Sequence, residues 1–222
     1  MTIKHGLAGA VLGALTLTSF AAPPLASTDF DSSTEGWNGI NGVLNFHWVA
    51  TGGQSGGFVQ GRDFGAGEVW LFDAPTAYLG DQSAAYGGTL SFYLRQSTTA
   101  NQFTTPLPDV KITGNGMSLV IDAGDNPGLD WTSYTVTLKP GAWHIGDLNG
   151  AFATKADFET VLADVSALRI RAEYSNARGD VDGIDSVKLL AVPVPEPRTY
   201  ALMLAGLGAV GFMARRGKRN AS

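Results

Sequence analysis

Three groupings in the 222-residue chain carry residue types suited to chemistry. Gly53-Gln54-Ser55-Gly56-Gly57 fits the G-x-S-x-G pattern of a serine nucleophile. That pattern works on a strand-to-helix elbow, with a histidine to take the serine proton. Here Phe58-Val59-Gln60 reads as another strand, and His47 sits inside the strand-like run Phe46-His47-Trp48. The five residues therefore read as a mobile turn. The second grouping is acidic. Asp180, Asp182 and Asp185 surround Gly183 before the last strand, while Asp29, Asp31 and Glu35 open the body. Calcium takes about six to eight oxygens from carboxylates and loop carbonyls. The spacing is not an EF-hand, since the twelfth-position Glu is missing, and Asp-rich strand-end turns are the plainer account. The third grouping is aromatic: Trp37, Trp48, Trp70, Trp131 and Trp143. Aromatic faces stack on pyranose rings while nearby polar groups bond the hydroxyls. Trp143, beside His144 and after the turn residues Pro140-Gly141, is the candidate exposed face. A carboxylate pair for glycoside hydrolysis needs two acids about 5–9.5 Å apart across a cleft. The acids are scattered through turns, so no pair stands out. Arg178-Gly179-Asp180 spells the integrin tripeptide, a coincidence of common loop residues.

The elements that must position these residues are strands. Leu90, Phe92 and Leu94 alternate with polar neighbours, as do Val110 and Ile112, and Tyr134, Val136 and Leu138. Leu119 with Ile121, Leu168 with Ile170 and Ala172, and Val187 with Leu189 extend the set. Period two with polar partners predicts half-buried antiparallel strands. Glycine and Asn/Asp clusters separate them, consistent with 29 Gly in the chain. One helix is predicted, capped by Thr154 with Asp157 three residues on, its apolar face Phe158, Val161, Leu162 and Val165. It should lie across one end of a sandwich. No glycine-rich loop joins a strand to a helix, which argues against a doubly wound fold.

Composition narrows the function. There is no cysteine, which removes disulfides, thiolate metal sites and cysteine nucleophiles together. Residues 27–192 hold nine basic and nineteen acidic residues, a net charge of −10. Phosphate backbones repel such a body, so no nucleic-acid partner is expected.

The ends read as addresses. Lys4 precedes an apolar run from Leu7 to Phe20 and then Ala21-Ala22, the pattern of a signal peptide cut after Ala21 or Ala26. At the other end, Pro195-Glu196-Pro197 leads into a mostly apolar stretch, residues 199–214, and then Arg215-Arg216. At ~1.5 Å per residue this stretch reaches about 24 Å, short of the roughly 30 Å hydrocarbon core. The basic cluster would stay on the cytoplasmic side.

The tail resembles the PEP-CTERM sorting signal of Gram-negative bacteria, through Pro195, Glu196, Pro197, Gly206-Leu207-Gly208, Arg215 and Arg216. The resemblance implies transient inner-membrane anchoring, an exosortase as processing partner, and delivery to the cell surface or the extracellular matrix. The body resembles the laminin IV type, or laminin B, domain. Phe30, Gly36-Trp37, Phe72-Asp73-Ala74-Pro75, Tyr86-Gly87-Gly88-Thr89-Leu90-Ser91-Phe92, Trp131-Thr132-Ser133-Tyr134 and Ile184-Asp185-Ser186-Val187-Lys188-Leu189 carry it in that order. It implies an all-β, jelly-roll-like antiparallel sandwich without catalysis, with Trp37 and Trp131 in the core. By likeness to carbohydrate-binding modules, Asp31 and Asp185 would be ligands of a structural calcium. The domains expected are a signal peptide (1–26), the sandwich (27–192) and the sorting signal (193–222). The expected function is a non-catalytic exported surface or matrix protein associated with exopolysaccharide or biofilm, with polysaccharide or other surface proteins as partners. A calcium-stabilised carbohydrate-binding module is the first alternative and a carboxylate-based glycan hydrolase the second.

Overall fold

A computed structural model describes residues 23–64, 67–192, 203–207 and 210 of the chain. In chain order the elements are β1 (Ala26–Thr28), β2 (Asn38–Ile40), β3 (Val43–Val49), β4 (Phe58–Asp63), β5 (Leu71–Asp73), β6 (Thr89–Gln96), β7 (Val110–Gly114), β8 (Met117–Ile121), β9 (Thr132–Thr137), β10 (His144–Ile145), α1 (Lys155–Leu162), β11 (Val165–Arg171) and β12 (Val181–Leu190). They form two antiparallel sheets. One runs β3-β4-β12-β6-β9, with β1 also paired to β12; the other runs β10-β8-β7-β11-β5-β2.

The period-two residues face each other across the sandwich. Leu90, Phe92 and Leu94 of β6 are buried with Tyr134 and Val136 of β9 on one side, and Val110, Ile112, Leu168 and Ile170 of β7 and β11 on the other. Phe92 and Tyr134, directly paired in register, stack at 5.4 Å. Strand β12 is the hub of its sheet. Strand β6 flanks it along one edge, while β4 takes Val181–Ile184 and β1 takes Val187–Leu189 along the other. Between these segments the register shifts, and Ser186 adopts a φ of 51°. Such a break is a bulge, which re-aims the side chain beside it.

The helix forms as its cap foretells. The Thr154 hydroxyl accepts from the Asp157 backbone N–H, and the Asp157 carboxylate accepts from the Thr154 backbone N–H at 2.8 Å. Phe158, Val161 and Leu162 are buried, and the helix packs against β7 and β8. Val165, expected on the same helical face, instead opens β11 and pairs with Gly114.

The sandwich takes in Leu25 and Ala26, whose backbones pair with Leu189. A cut after Ala21 leaves β1 whole, whereas a cut after Ala26 removes its first residue. The apolar run of the signal peptide lies outside the described residues, as do Pro195, Glu196, Pro197, Arg215, Arg216 and most of the apolar stretch 199–214. Within that stretch residues 203–207 and 210 are helical and exposed. Among the described residues, no helix is long and apolar enough to cross a membrane.

Candidate functional site

The turn at Gly53–Gly57 links β3 to β4, so no helix follows Ser55 and the nucleophile elbow is absent there. Nor does the turn hang free, as the sequence suggested. The Gln54 and Ser55 N–H groups donate to Asp185 Oδ2 at 2.6 and 3.2 Å, and Gly53 N–H donates to Gly56 O at 3.0 Å. A Cβ on Gly53 would lie 2.6 Å from Asp185 Oδ2, so the close approach requires glycine.

The same geometry tests the calcium expectation. Asp31 and Asp185 do meet at one loop: Asp185 is bonded to residues 54 and 55, and Asp31 Oδ1 lies 3.6 Å from where a Gly56 Cβ would stand. Yet Asp185 is fully buried, and its other oxygen accepts from Ser186 N–H at 2.6 Å. Three amide donors hold this carboxylate, and donors compete with a cation instead of completing its shell. Among the described residues, no three Asp, Glu or His side chains gather closely enough to hold a metal ion. The pair as placed does not fit a calcium shell.

Two tryptophans, Trp143 and Trp131, lie opposite to the sequence assignment. Trp143 is 1% exposed and offers no stacking face. Its ring meets Phe158 of α1 edge-on at 5.7 Å, and its indole N–H donates to Thr137 O at 2.9 Å. The helix roofs over the residue that follows the Pro140-Gly141 turn. Trp37 is buried, as expected, and so is Trp70. Trp131, expected in the core, is half-buried and sits on the outer face of the β3-β4-β12-β6-β9 sheet.

Register shows what surrounds it. Because Leu90, Phe92 and Leu94 point inward, Ser91, Tyr93 and Arg95 point outward. Arg95 pairs with Gly183, Gly183 with Gln60, and Gln60 with His47. Trp131 precedes Thr132, which pairs with Leu94, so it flanks Arg95. The result is a row across four strands, His47, Gln60, Gly183 and Arg95, that ends on Trp131 just before β9. Tyr93 and Ser133 pair in the adjacent row. A Cβ on Gly183 would meet Phe58 and Trp131 at 3.2 Å, so a bare backbone lets the rings close over the centre. The Trp131 ring meets Phe58 at 5.3 Å, and its N–H donates to Gly52 O at 3.0 Å. The loop pinned by Asp185 thus also fixes the angle of Trp131. The Arg95 guanidinium lies 4.4 Å from the Phe58 ring centre and 4.9 Å from that of Trp131. Edge-to-face rings, a guanidinium, an amide, an imidazole and hydroxyls on a stiff sheet suit a sugar chain.

A second region lies at one end of the sandwich, around Phe103. One hollow of about 200 Å³ is lined by Asp63, Glu68, Phe103, Glu173, Asn176 and Arg178. Another of about 190 Å³ includes Phe103, Asp122, Asp125, Asn126 and Arg171. Beneath them are buried acids that no local pattern in the sequence groups together. Glu173 accepts from the Trp70 backbone N–H at 3.2 Å, and burial first, then Asp63 and Asp180, pushes its carboxyl up to about 7. Asp182 accepts from the Trp70 indole at 3.2 Å, and burial drives its carboxyl well above the usual range. Asp180 accepts from the Ser97 hydroxyl at 2.6 Å and is 2% exposed, so the integrin-like tripeptide does not present its acid. Arg171 and Asp109 form a buried pair at 2.7 Å. Only topology collects these groups: the ends of β4 and β11 and the starts of β5 and β12 converge here.

The profile of the family Laminin B (Domain IV) matches residues 71–200, and that of the PEP-CTERM protein-sorting motif matches residues 193–219. The basement membrane-specific heparan sulfate proteoglycan core protein of Mus musculus is 36% identical over 111 residues, covering 49% of this chain. The chain spans only 3% of that relative's length. Among solved structures, the L4b domain of human laminin alpha-2 is similar with a TM-score of 0.51 at 16% identity, covering 65% of this chain and 96% of that one. A family 11 carbohydrate-binding module of a Clostridium thermocellum cellulosomal cellulase is similar with a TM-score of 0.50 at 13% identity, covering 77% and 96%. At these identities the structural likeness shows a shared sandwich fold.

Proposed function

The chain belongs to the Laminin B (Domain IV) family, and from that footing we propose that it is an exported, non-catalytic surface or matrix protein whose sandwich holds extracellular polysaccharide. The sorting motif marks it for export and exosortase processing. The observation that carries the binding reading is the row His47, Gln60, Gly183, Arg95 and Trp131, an aromatic and polar strip on a rigid sheet. Type and placement both suit stacking on a sugar ring with hydroxyl bonds on either side. The test is affinity electrophoresis of the full chain through gels containing exopolysaccharide of the producing organism. Retention that Trp131→Ala abolishes, in a variant that still melts cooperatively, supports the strip. Retention unchanged in that variant moves the site elsewhere, and no retention of the wild type leaves a structural surface protein with protein partners.

One observation favours a second reading, glycan hydrolysis by carboxylates. Glu173 lines an open hollow with Asp63 and holds its proton up to about pH 7, as a general acid must. Release of new reducing ends from the same polysaccharide, lost in Glu173→Gln, would support it.

A further inference from the structure

We infer that the strip selects a carboxylate-bearing glycan, a polymer of uronic acids, through the guanidinium of Arg95. This rests on the glycan-binding reading above and goes further by naming the charge of the ligand.

Arg95 is held but not partnered. Its guanidinium stacks on two rings, Phe58 and Trp131, and makes no ion pair or hydrogen bond among the described residues. Arg169 and Arg171 are treated differently, paired with Asp73 at 3.0 Å and Asp109 at 2.7 Å. In register, Asp182 is adjacent but faces inward to the Trp70 indole, and the nearest β12 acid on the outer face is Asp185, opposite Tyr93, which the amides of Gln54, Ser55 and Ser186 occupy. In a body of net charge −10, acids are plentiful, yet among the described residues none forms an ion pair with this cation. Burial against the rings already weighs on the charged form of Arg95, lowering its pKa.

A neutral sugar gains little from such an arrangement. A carboxylate gains two parallel N–H···O bonds from the planar fork, and the stacked rings hold that fork in place beforehand. Trp131 lies beside the same guanidinium, so one pyranose can lie on the indole while its carboxylate turns to Arg95. The surrounding negative body would then repel polyanions that lack this precise anchor, so attraction is local and not general.

The test measures retention of the full chain on polygalacturonate, alginate and hyaluronate, which present different uronic acids, and on fully methyl-esterified pectin, a neutral β-glucan and dextran sulfate. The expected result is retention on at least one polyuronate, about tenfold weaker on its neutral counterpart. Arg95→Gln should abolish that preference, and Arg95→Lys, which keeps the charge but loses the fork, should restore only part of it. Melting curves of both variants confirm the fold. Equal retention on neutral and uronic chains, or retention on the neutral glucan alone, overturns the inference while leaving the strip intact. Dextran sulfate held as well as any polyuronate and insensitive to Arg95→Lys also overturns it, showing plain charge attraction. Absence of retention on every polymer overturns the strip itself.

Discussion

Glu173→Gln should make the protein more stable at neutral pH and leave it nearly unchanged in acid. The Glu173 carboxyl is raised from 4.5 to about 7, chiefly by burial, so the folded state holds a proton that the unfolded chain releases. Its contribution is therefore fully present below pH 4.5 and is lost as pH rises through 7. The shift of about 2.5 units sets an upper bound of about 3 kcal/mol, at about 1.4 kcal/mol per unit, and solvent in the adjoining hollow screens part of it. For a domain of this size that is a melting shift of at most about 6–12 °C. Glutamine keeps the carbonyl that accepts the Trp70 N–H, so the fold loses no partner there. Burial also raises Asp180 and Asp182, which adds to the same slope in the wild type. The difference between the two proteins isolates position 173. Urea unfolding followed by tryptophan fluorescence, from pH 4.5 to 8, should give curves that meet in acid and separate by up to about 3 kcal/mol at pH 8, with the variant ahead. Parallel pH profiles, or a wild type that gains on the variant with rising pH, would refute the reasoning.

Trp143→Ala should cost about 3–5 kcal/mol by opening a cavity against Phe158, read by urea midpoint, while polysaccharide retention at equal folded fraction stays unchanged. Since amides already hold the Asp185 carboxylate, millimolar calcium or chelator should leave the melting temperature unchanged, whereas Asp185→Ala should lower stability by about 1–3 kcal/mol as two loop N–H groups lose their acceptor. A calcium-dependent rise in melting temperature that Asp31→Asn removes would restore the metal reading.

The strands were legible because burial on one face writes itself as alternation. Leu90, Phe92 and Leu94 announce β6, and the positions between them announce its outer face. The helix start was equally plain, because Thr154 and Asp157 satisfy each other locally. Its end was not: Val165 continues the helical spacing, but pairing with Gly114 wins over periodicity. Trp143 and Trp131 depart from expectation because exposure depends on what packs above a residue. Trp143 follows a surface turn yet lies under α1, while Trp131, just before the edge strand β9, stays half-buried beside Arg95. The acids Asp63, Glu173 and the pair Asp180 and Asp182 come from three separate segments, and no local pattern signals that the sheet order brings them together. The strip itself was half visible. His47, Gln60 and Arg95 each occupy a strand in the sequence, but only the order β3-β4-β12-β6 lines them up.

The pairing of β1 beside the C-terminal half of β12 has a consequence for display. Leu25 and Leu189 are hydrogen-bonded neighbours, so the chain enters and leaves the sandwich at the same pole. On β6, Thr89 lies at that pole opposite Leu190, and Arg95 lies six residues further along. At ~3.3 Å per residue, the strip is about 20 Å from the exit point. Whatever holds the residues that follow β12 holds the domain from this pole, with the row from His47 to Trp131 toward the far end. A molecule packed against the near pole would leave Arg95 and Trp131 uncovered.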